Sequence, residues 1–244
     1  MKSVLAPLKA ESLKEVFISR FEDLILSGKL AIGQKLPPER ELALQLGVSR
    51  PVVHEGLLEL SVKGLVTMKP RVGTAVNDYR KEGSLAILES LFNFRRGSLD
   101  PQLLRSLLEM RIPIEKETTK LAALNRTDEH VKAFHEIVAA EEAADPHDID
   151  EVTRLDFDFH HLVTLSSGNL IYPLLINSFK PVYTFLTSIF FSDPEVVPVT
   201  ASFHRRLTEA IEAGDTGKAI STMSEILAHG EEHLLKMVAR MERR

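Results

Sequence analysis

The sequence predicts a mostly α-helical protein with two domains and one small β-hairpin. Two features of the pattern point to this fold class. Three amphipathic helical patterns open the chain, followed by short β-like segments at 65–68 and 74–76. Seven further helical patterns then fill the chain, and no strand pattern interrupts them. With 244 residues and 44% apolar composition, the chain is long enough to bury two modest cores.

The first two helices have clear stop and start signals. Apolar residues recur at helical spacing over 11–27, and Gly28 supplies a stop. A Pro-Pro pair at 37–38 opens a second helix, which Gly47 ends as a left-handed cap.

A third helix and a hairpin complete the N-terminal module. Ser49 caps the third helix, and the tight turn before it predicts a helix-turn-helix. The two β-like segments are joined by residues 69–73, which predicts a hairpin with a basic tip, or wing. We therefore predict a winged helix-turn-helix domain over residues 1–78.

The rest of the chain is predicted to be a separate helical domain. Residues 79–84 are polar and lose periodicity, so we place a linker there and a helical domain over 85–244. Short loops between its helices predict an antiparallel seven-helix bundle. Helical patterns run near 85–96, 101–125, 128–143, 149–167, 170–191, 195–213 and 216–242.

The net charge of −5 hides an asymmetry between the two parts. Residues 1–80 hold 12 Lys and Arg against 9 Asp and Glu, a net +3, whereas residues 81–244 hold 18 against 26, a net −8. Only the first part is electrostatically suited to nucleic acid. The absence of cysteine and of a leader-like N-terminus predicts a cytoplasmic protein. The apolar stretch 170–191 is interrupted by Pro and Lys, which favours a buried helix over a membrane span.

The third helix carries the residue types that read DNA. Only the first turns of a recognition helix reach base edges in the major groove, and Ser49, Arg50 and His54 face outward there. An Arg at position 50 can pair bidentately with guanine O6 and N7, Ser49 can reach a phosphate, and His54 can donate to either. Backbone or minor-groove contacts are expected from three further cations, Arg40, Lys69 and Arg71. The alternative is an ordinary three-helix unit with a solvated basic face.

The N-terminal segment resembles the DNA-binding motif of GntR-type regulators. The resemblance rests on Leu-Pro-Pro-Glu-Arg-Glu-Leu-Ala at 36–43, Leu-Gly-Val-Ser-Arg-Pro-Val-Val at 46–53, Gly-Leu-Val at 64–66 and Gly-Thr at 73–74. It implies that Arg40, Ser49 and Arg50 touch operator DNA. Three positions depart from the family, which often has Arg at His54, Ala at Gly56 and Gly at Arg71. A Gly at position 56 should cost the helix about 1 kcal/mol relative to Ala.

A candidate metal pair lies in the helical domain. Asp156 and His160 are four residues apart, so both can point from one helix face into the bundle interior. An Asp and a His so placed can chelate a divalent metal, but they can equally form a buried hydrogen-bonded pair. The spacing alone leaves both readings open.

The helical domain resembles the effector domain of the FadR branch of this family. The resemblance includes 109–111 with Glu115, 156–160, 167–169, and His204 with Ala-Ile-Glu-Ala-Gly-Asp at 210–215, so it covers essentially the whole chain. In that branch an Asp and three His commonly hold a metal, here implying Asp156, His160 and His204 as ligands of zinc, nickel or manganese. The fourth position falls on Ile226. Either His229, one turn further, stands in, or three ligands leave open positions, or the effector binds without a metal.

The resemblance also implies an effector. It is a small carboxylate, a sugar acid or a fatty acyl thioester. Arg111 is the candidate carboxylate clamp, because a guanidinium can hold a carboxylate with two parallel hydrogen bonds. Asn169 is a second candidate, although an Asn after Gly is also a common helix cap. Core packing explains most of a Phe- and Tyr-rich set, which a bulky apolar effector would also use. The set is Phe157, Phe159, Phe179, Tyr183, Phe185, Phe190 and Phe191.

Two other functional classes compete with a ligand-responsive DNA-binding regulator. A metal-dependent helical-bundle enzyme of the di-iron type needs Glu-x-x-His pairs, which the sequence lacks. A purely architectural DNA binder would leave the acidic helical domain without a role. We therefore expect a non-enzymatic homodimer on a palindromic operator, because one recognition helix reads only a few base pairs.

Overall fold

The computed structural model describes residues 12–94 and 100–241. These residues form two compact units, the first up to residue 94 and the second from residue 100. The described chain is mostly helical and contains one two-stranded antiparallel sheet, which confirms the predicted fold class. Within the described ranges, no helix is both long and apolar enough to cross a membrane.

The first unit begins with three helices, α1 (Leu13–Leu26), α2 (Glu39–Leu46) and α3 (Arg50–Val62). Ser12 and Glu15 form a capping box at the start of α1, where each side chain accepts a hydrogen bond from the backbone of the other. Gly47 ends α2 in the left-handed conformation with φ 67°, as predicted. The core between the helices is apolar and includes fully buried Val53, Leu57 and Leu60.

The wing is the hairpin of β1 (Val66–Lys69) and β2 (Gly73–Val76). Its antiparallel register pairs Val66 with Val76 and Lys69 with Gly73. A single bridge between Lys35 and Ala75 joins the loop between α1 and α2 to the hairpin. The wing is therefore fixed to the helices on both sides, with its basic tip at 70–72.

Two short helices follow the wing, α4 (Tyr79–Glu82) and α5 (Ile87–Asn93). The predicted linker at 79–84 thus contains a one-turn helix, capped by Asp78. The first of the seven predicted bundle helices, near 85–96, forms as α5 but packs against α1 in the first unit. The reason is that Ile87 belongs to the apolar core of that unit, while Ser90 bonds to Glu22. The helical spacing of apolar residues along the sequence indicates neither contact.

The second unit contains six helices among the described residues. Their bounds match the predicted patterns to within about two residues, because Pro, Gly, Asp and Thr mark the ends. Phe134, Phe159, Leu207 and Ile211 are fully buried at the centre of one core cluster. The helices are α6 (Pro101–Asn125), α7 (Asp128–Ala143), α8 (Ile149–Ser166), α9 (Ile171–Phe190), α10 (Val196–Ala213) and α11 (Thr216–Met241).

Candidate DNA interface and effector cavity

The start of α3 presents the predicted DNA-reading side chains to solvent. Ser49 is the N-cap residue with extended backbone, yet its hydroxyl makes no capping hydrogen bond within the described chain. The side chains of Arg50 and His54 are 71% and 50% exposed. The structure therefore brings these three residues to one accessible helix end, as a recognition helix requires.

Glu39, the first residue of α2, contacts two of these side chains. Its Oε2 accepts a hydrogen bond from Arg50 Nε at 3.3 Å, and its Oε1 lies 2.8 Å from His54 Nδ1. The hydrogen bond from His54 outweighs partial burial and, together with Arg50, lowers the pKa of Glu39. Sequence reasoning gave Glu39 no role, because no local spacing indicates a contact between two helices.

The remaining predicted DNA contacts are exposed cations. Arg40 and Arg50 flank a shallow surface groove between α2 and α3. Lys69 ends β1, and Arg71 lies at the wing tip. Arg71 has φ 64°, a left-handed conformation that a Gly adopts without steric cost. The conformation therefore favours Gly, the residue that the resemblance led us to expect at this position.

The second unit encloses a cavity with an apolar wall and a polar end. Its empty space, including the open mouth, is about 930 Å³. The polar end is formed by Arg111, Glu115, Asp156, His160 and Tyr183. The apolar wall is formed by Leu107, Leu108, Met110, Ile114, Ile176, Phe179, Val182, Leu186, Phe190, Phe203, Ile226, Leu227 and Leu234.

Asp156, His160 and His204 come together beside the polar end, as their spacing and the resemblance predicted. One ligand atom from each lies within 4.8 Å of the others, and all three residues are buried. Asp156 Oδ1 is 3.9 Å from His204 Nε2. Asp156 Oδ2 accepts a hydrogen bond from the Tyr183 hydroxyl at 2.6 Å. The arrangement offers two imidazoles and one carboxylate oxygen to a common point.

Each imidazole contacts a glutamate, but among the described residues only His204 forms a hydrogen bond with it. Glu115 Oε2 lies 2.6 Å from His160 Nδ1, and Glu141 Oε1 lies 2.8 Å from His204 Nδ1. His204 Nε2 is buried and has no hydrogen-bond partner in the described part of the chain. Burial disfavours the charged form of His204, but the charge and hydrogen bond of Glu141 outweigh it and raise the pKa. A carboxylate on the second ring nitrogen is how proteins orient metal-binding histidines.

Arg111 lines the cavity, as expected of an effector clamp, but it is already paired. Its Nε donates to Glu115 Oε1 at 2.6 Å, and its guanidinium stacks over the Tyr183 ring at 5.0 Å. Burial opposes the charged form of Glu115, yet Arg111 and His160 outweigh it and lower the pKa to about 2. One buried chain of contacts thus connects Arg111, Glu115 and His160.

Three other predicted positions are also placed by the structure. Ile226 and His229 both line the cavity, but His229 is outside the described group of ligand atoms around Asp156. Its ring packs beside that of His233 at 4.2 Å. Asn169 is not among the described residues that line the cavity. Its Oδ1 accepts a hydrogen bond from the Ile171 backbone at 2.8 Å, which forms an Asx turn before α9, whose N-cap residue is Leu170.

Glu115, Glu141 and Tyr183 are the site residues that sequence reasoning missed or left without a role. They lie on α6, α7 and α9, whereas the histidines lie on α8 and α10. Residues so far apart in sequence have no characteristic spacing that would indicate a contact between them. The available signal was a charge on a buried face. Glu141 shares its face with Phe134 and Val138, but the signal is weaker for Glu115, whose face also carries Thr118 and Thr119.

The geometry defines a class of protein, a winged helix joined to a helical domain with a ligand cavity, and comparisons with known proteins agree. Residues 14–76 match the model of bacterial regulatory proteins of the gntR family, and residues 77–244 match the FadR C-terminal domain. The chain therefore belongs to the GntR family, with a FadR-type C-terminal domain. It is a transcriptional regulator, not an enzyme.

Individual relatives support this assignment. The chain is 31% identical over 223 residues to the HTH-type transcriptional regulator Mce2R of Mycobacterium tuberculosis, covering 91% of this chain and 92% of the relative. It is 33% identical over 190 residues to a fatty acid metabolism regulator protein of Enterobacter, covering 78% and 77%. Lar, which controls the Listeria monocytogenes agr system, shares the fold with a TM-score of 0.64 at 16% identity, covering 94% of this chain and 99% of Lar.

Proposed function

We propose that this regulator binds a palindromic operator as a homodimer in the cytoplasm, and that an acyl or small carboxylate effector in the cavity changes its affinity for DNA. The observation that supports the effector is the cavity itself. An apolar wall with a few convergent polar groups at one end is the usual form of a small-molecule site. It suits a ligand with an apolar body and an anionic or polar head.

The apolar wall favours the acyl class over a sugar acid. A sugar acid carries hydroxyl groups along its length, and each buried hydroxyl without a partner costs free energy. Among the described lining residues, most side chains away from the polar end cannot form hydrogen bonds. The relative from Enterobacter is named as a regulator of fatty acid metabolism, which is consistent with this choice.

The charges of the polar end bear on how an anionic head can bind. Among its described residues, one guanidinium, Arg111, lies with the carboxylates of Glu115 and Asp156. A third carboxylate, Glu141, contacts His204 outside the cavity lining. A further carboxylate entering this region needs additional positive charge, because an unpaired buried charge is costly. Protonated imidazoles or a divalent cation can supply it.

The residues present fit a divalent metal. His204 Nε2 is buried without a partner in the described chain, and Glu141 bonds to Nδ1 of the same ring, so Nε2 is free to bind a metal. We propose that Asp156, His160 and His204 hold zinc, nickel or manganese, with Ile226 leaving a coordination position open. When bound, such an ion is a Lewis acid that attracts a carboxylate. Glu141 orients His204, and Tyr183 fixes Asp156.

The experiment is a ligand screen on the purified full-length protein. Thermal shifts are measured with each divalent ion, with short carboxylates, and with fatty acids and acyl thioesters. We expect one ion and one acyl compound to raise the unfolding temperature, since a ligand that binds only the folded state stabilises it. The matched control is Ile226→His, which supplies a third imidazole as the fourth ligand and should increase the ion-dependent shift. If no ion or compound shifts either protein, the proposed effector site is wrong.

A further inference from the structure

The carboxylate of Glu39 is enclosed between α2 and the first turn of α3. Its side chain is 21% exposed, whereas those of Arg50 and His54 are 71% and 50% exposed. Each of its oxygens contacts a different partner, Oε2 with Arg50 Nε and Oε1 with His54 Nδ1. The acid therefore lies beneath the two outermost side chains of the DNA-reading surface and contacts both.

This contact determines which atoms of Arg50 remain free. A guanidinium has five N–H groups, and Glu39 takes the one on Nε. The two terminal nitrogens have no hydrogen-bond partner among the described residues. That terminal edge carries two parallel N–H donors, which match guanine O6 and N7. Fixing the side chain before binding also removes part of the rotamer entropy that ordering an Arg costs.

The same carboxylate orients His54. A ring whose Nδ1–H donates to a carboxylate presents Nε2 on its opposite side, and in the neutral ring that nitrogen is an acceptor. An acceptor reads an amino group, such as adenine N6 or cytosine N4. A free His can turn either nitrogen outward and discriminate less.

The contact also lowers the charge that DNA encounters. Non-specific affinity depends on the number of phosphates that cations neutralise, and Glu39 offsets one cation in a region with few to spare. A carboxylate at this surface thus weakens binding to any sequence. It improves discrimination only through the side chains that it orients.

We propose that Glu39 is a positioning residue for DNA reading, which holds Arg50 and His54 in place for base contacts and reduces non-specific affinity in return. The proposal rests on the proposed assignment of Arg50 and His54 to base reading. It predicts opposite changes for specific and non-specific DNA when the carboxylate is removed.

The test uses full-length protein, a duplex selected by the wild type from a random-sequence library, the same duplex with single base-pair substitutions, and poly(dI-dC). Glu39→Gln should bind poly(dI-dC) several-fold more tightly at low salt, with a salt dependence steeper by about one unit. Its preference for the selected duplex over the substituted ones should fall at least about fivefold. Glu39→Asp keeps the charge but is too short to reach both partners, so it should lose preference without the change in salt dependence.

Glu41→Gln is the matched control, because Glu41 is exposed on the same helix and its side chain bonds to Gln45. It removes the same charge and should strengthen binding to all duplexes equally. If Glu39→Gln behaves like Glu41→Gln, the carboxylate of Glu39 affects DNA binding only through its charge, and the proposal is overturned. Arg50→Ala tests the assignment separately: wild-type preference in that variant shows that the base-reading residues themselves are wrongly assigned. Thermal unfolding of each variant confirms that it folds.

Discussion

Gly56 lies in the middle of α3, where helix propensity alone favours Ala. In the structure, a Cβ at this position would lie 2.3 Å from Cδ1 of Phe17. The Phe17 ring cannot yield easily, because it is 4% exposed and stacks on Phe21 at 4.3 Å. The expectation that Gly56 weakens the helix therefore misses its packing role: the absent side chain lets α1 and α3 approach.

We expect Gly56→Ala to lower the free energy of unfolding of the first unit by about 1–2 kcal/mol, since overpacking exceeds the propensity gain. Urea denaturation measures the change. The control is Gly230→Ala in α11, where a Cβ has no neighbour within 4 Å among the described residues. That variant should instead gain about 0.5–1 kcal/mol. Stabilisation by both substitutions would show that Phe17 can move aside.

Arg71 combines a strained backbone with a charge on the wing. A non-Gly residue at φ 64° costs about 1–2 kcal/mol relative to its preferred conformations. We predict that Arg71→Gly stabilises the first unit by about 0.5–1 kcal/mol, after the greater flexibility of Gly in the unfolded chain is subtracted. The same variant should reduce the salt dependence of DNA binding by about one unit if Arg71 contacts a phosphate. Unchanged salt dependence would remove Arg71 from the interface.

Among the helices, α5 is attached to the first unit by a partly buried ion pair. Lys63 Nζ donates to Glu22 Oε1 at 2.6 Å and to Ser90 Oγ at 3.0 Å, and Ser90 donates to the same carboxylate at 2.8 Å. These contacts connect the ends of α1 and α3 with α5. The helix therefore belongs structurally to the DNA-binding unit.

Lys63→Ala should lower the free energy of unfolding by about 1–3 kcal/mol, because it leaves Glu22 partly buried and unpaired. The exposed pair of Lys14 and Glu59 is the comparison, with side chains 39% and 41% exposed. Lys14→Ala should change stability by less than about 1 kcal/mol. Chemical denaturation measures the free energy of unfolding of both variants. Equal losses of stability in the two variants would mean that α5 is not held by this network.

The outlines of the elements were predictable from sequence, whereas the contacts between them were not. Caps such as Gly47 and the apolar periods are local, so the helices and the hairpin follow from neighbouring residues. The placement of α5 depends on Glu22 and Lys63, which are far from Ser90 in sequence. The same holds at the sites: Asp156 and His160 share one helix, but Glu115 contacts His160, and Glu39 contacts His54, only through tertiary packing.

At the scale of the whole molecule, one recognition helix is insufficient for a specific site. The first turns of α3 read only a few base pairs, so we predict a homodimer at micromolar concentration that binds two half-sites about one helical turn apart. Sedimentation equilibrium, with and without the selected duplex, measures the assembly. A monomer under both conditions contradicts the prediction.

The effector response must connect the cavity of the second unit with the DNA-reading surface of the first. A ligand bound in the cavity can change operator affinity only if it favours one arrangement of the DNA-binding units, because equal affinity for both arrangements shifts nothing. We therefore predict a change in operator affinity of about 5- to 150-fold when the compound with the largest thermal shift is added. Two variants separate the contributions of the cavity.

His204→Asn keeps an N–H donor at the position of Nδ1 for Glu141 but removes the buried Nε2 that is free to bind a metal. If an ion anchors the effector, this variant keeps basal DNA binding and loses the response. Arg111→Met is combined with Glu115→Gln, because removing the guanidinium alone leaves a buried carboxylate unpaired and destabilises the fold by about 3–5 kcal/mol. The double variant should fold, and if Arg111 clamps the head group it should lose a response that Glu115→Gln alone, which keeps Arg111, retains. Operator affinity is measured for each protein with and without the compound, and normal responses from both variants would show that the effector binds elsewhere.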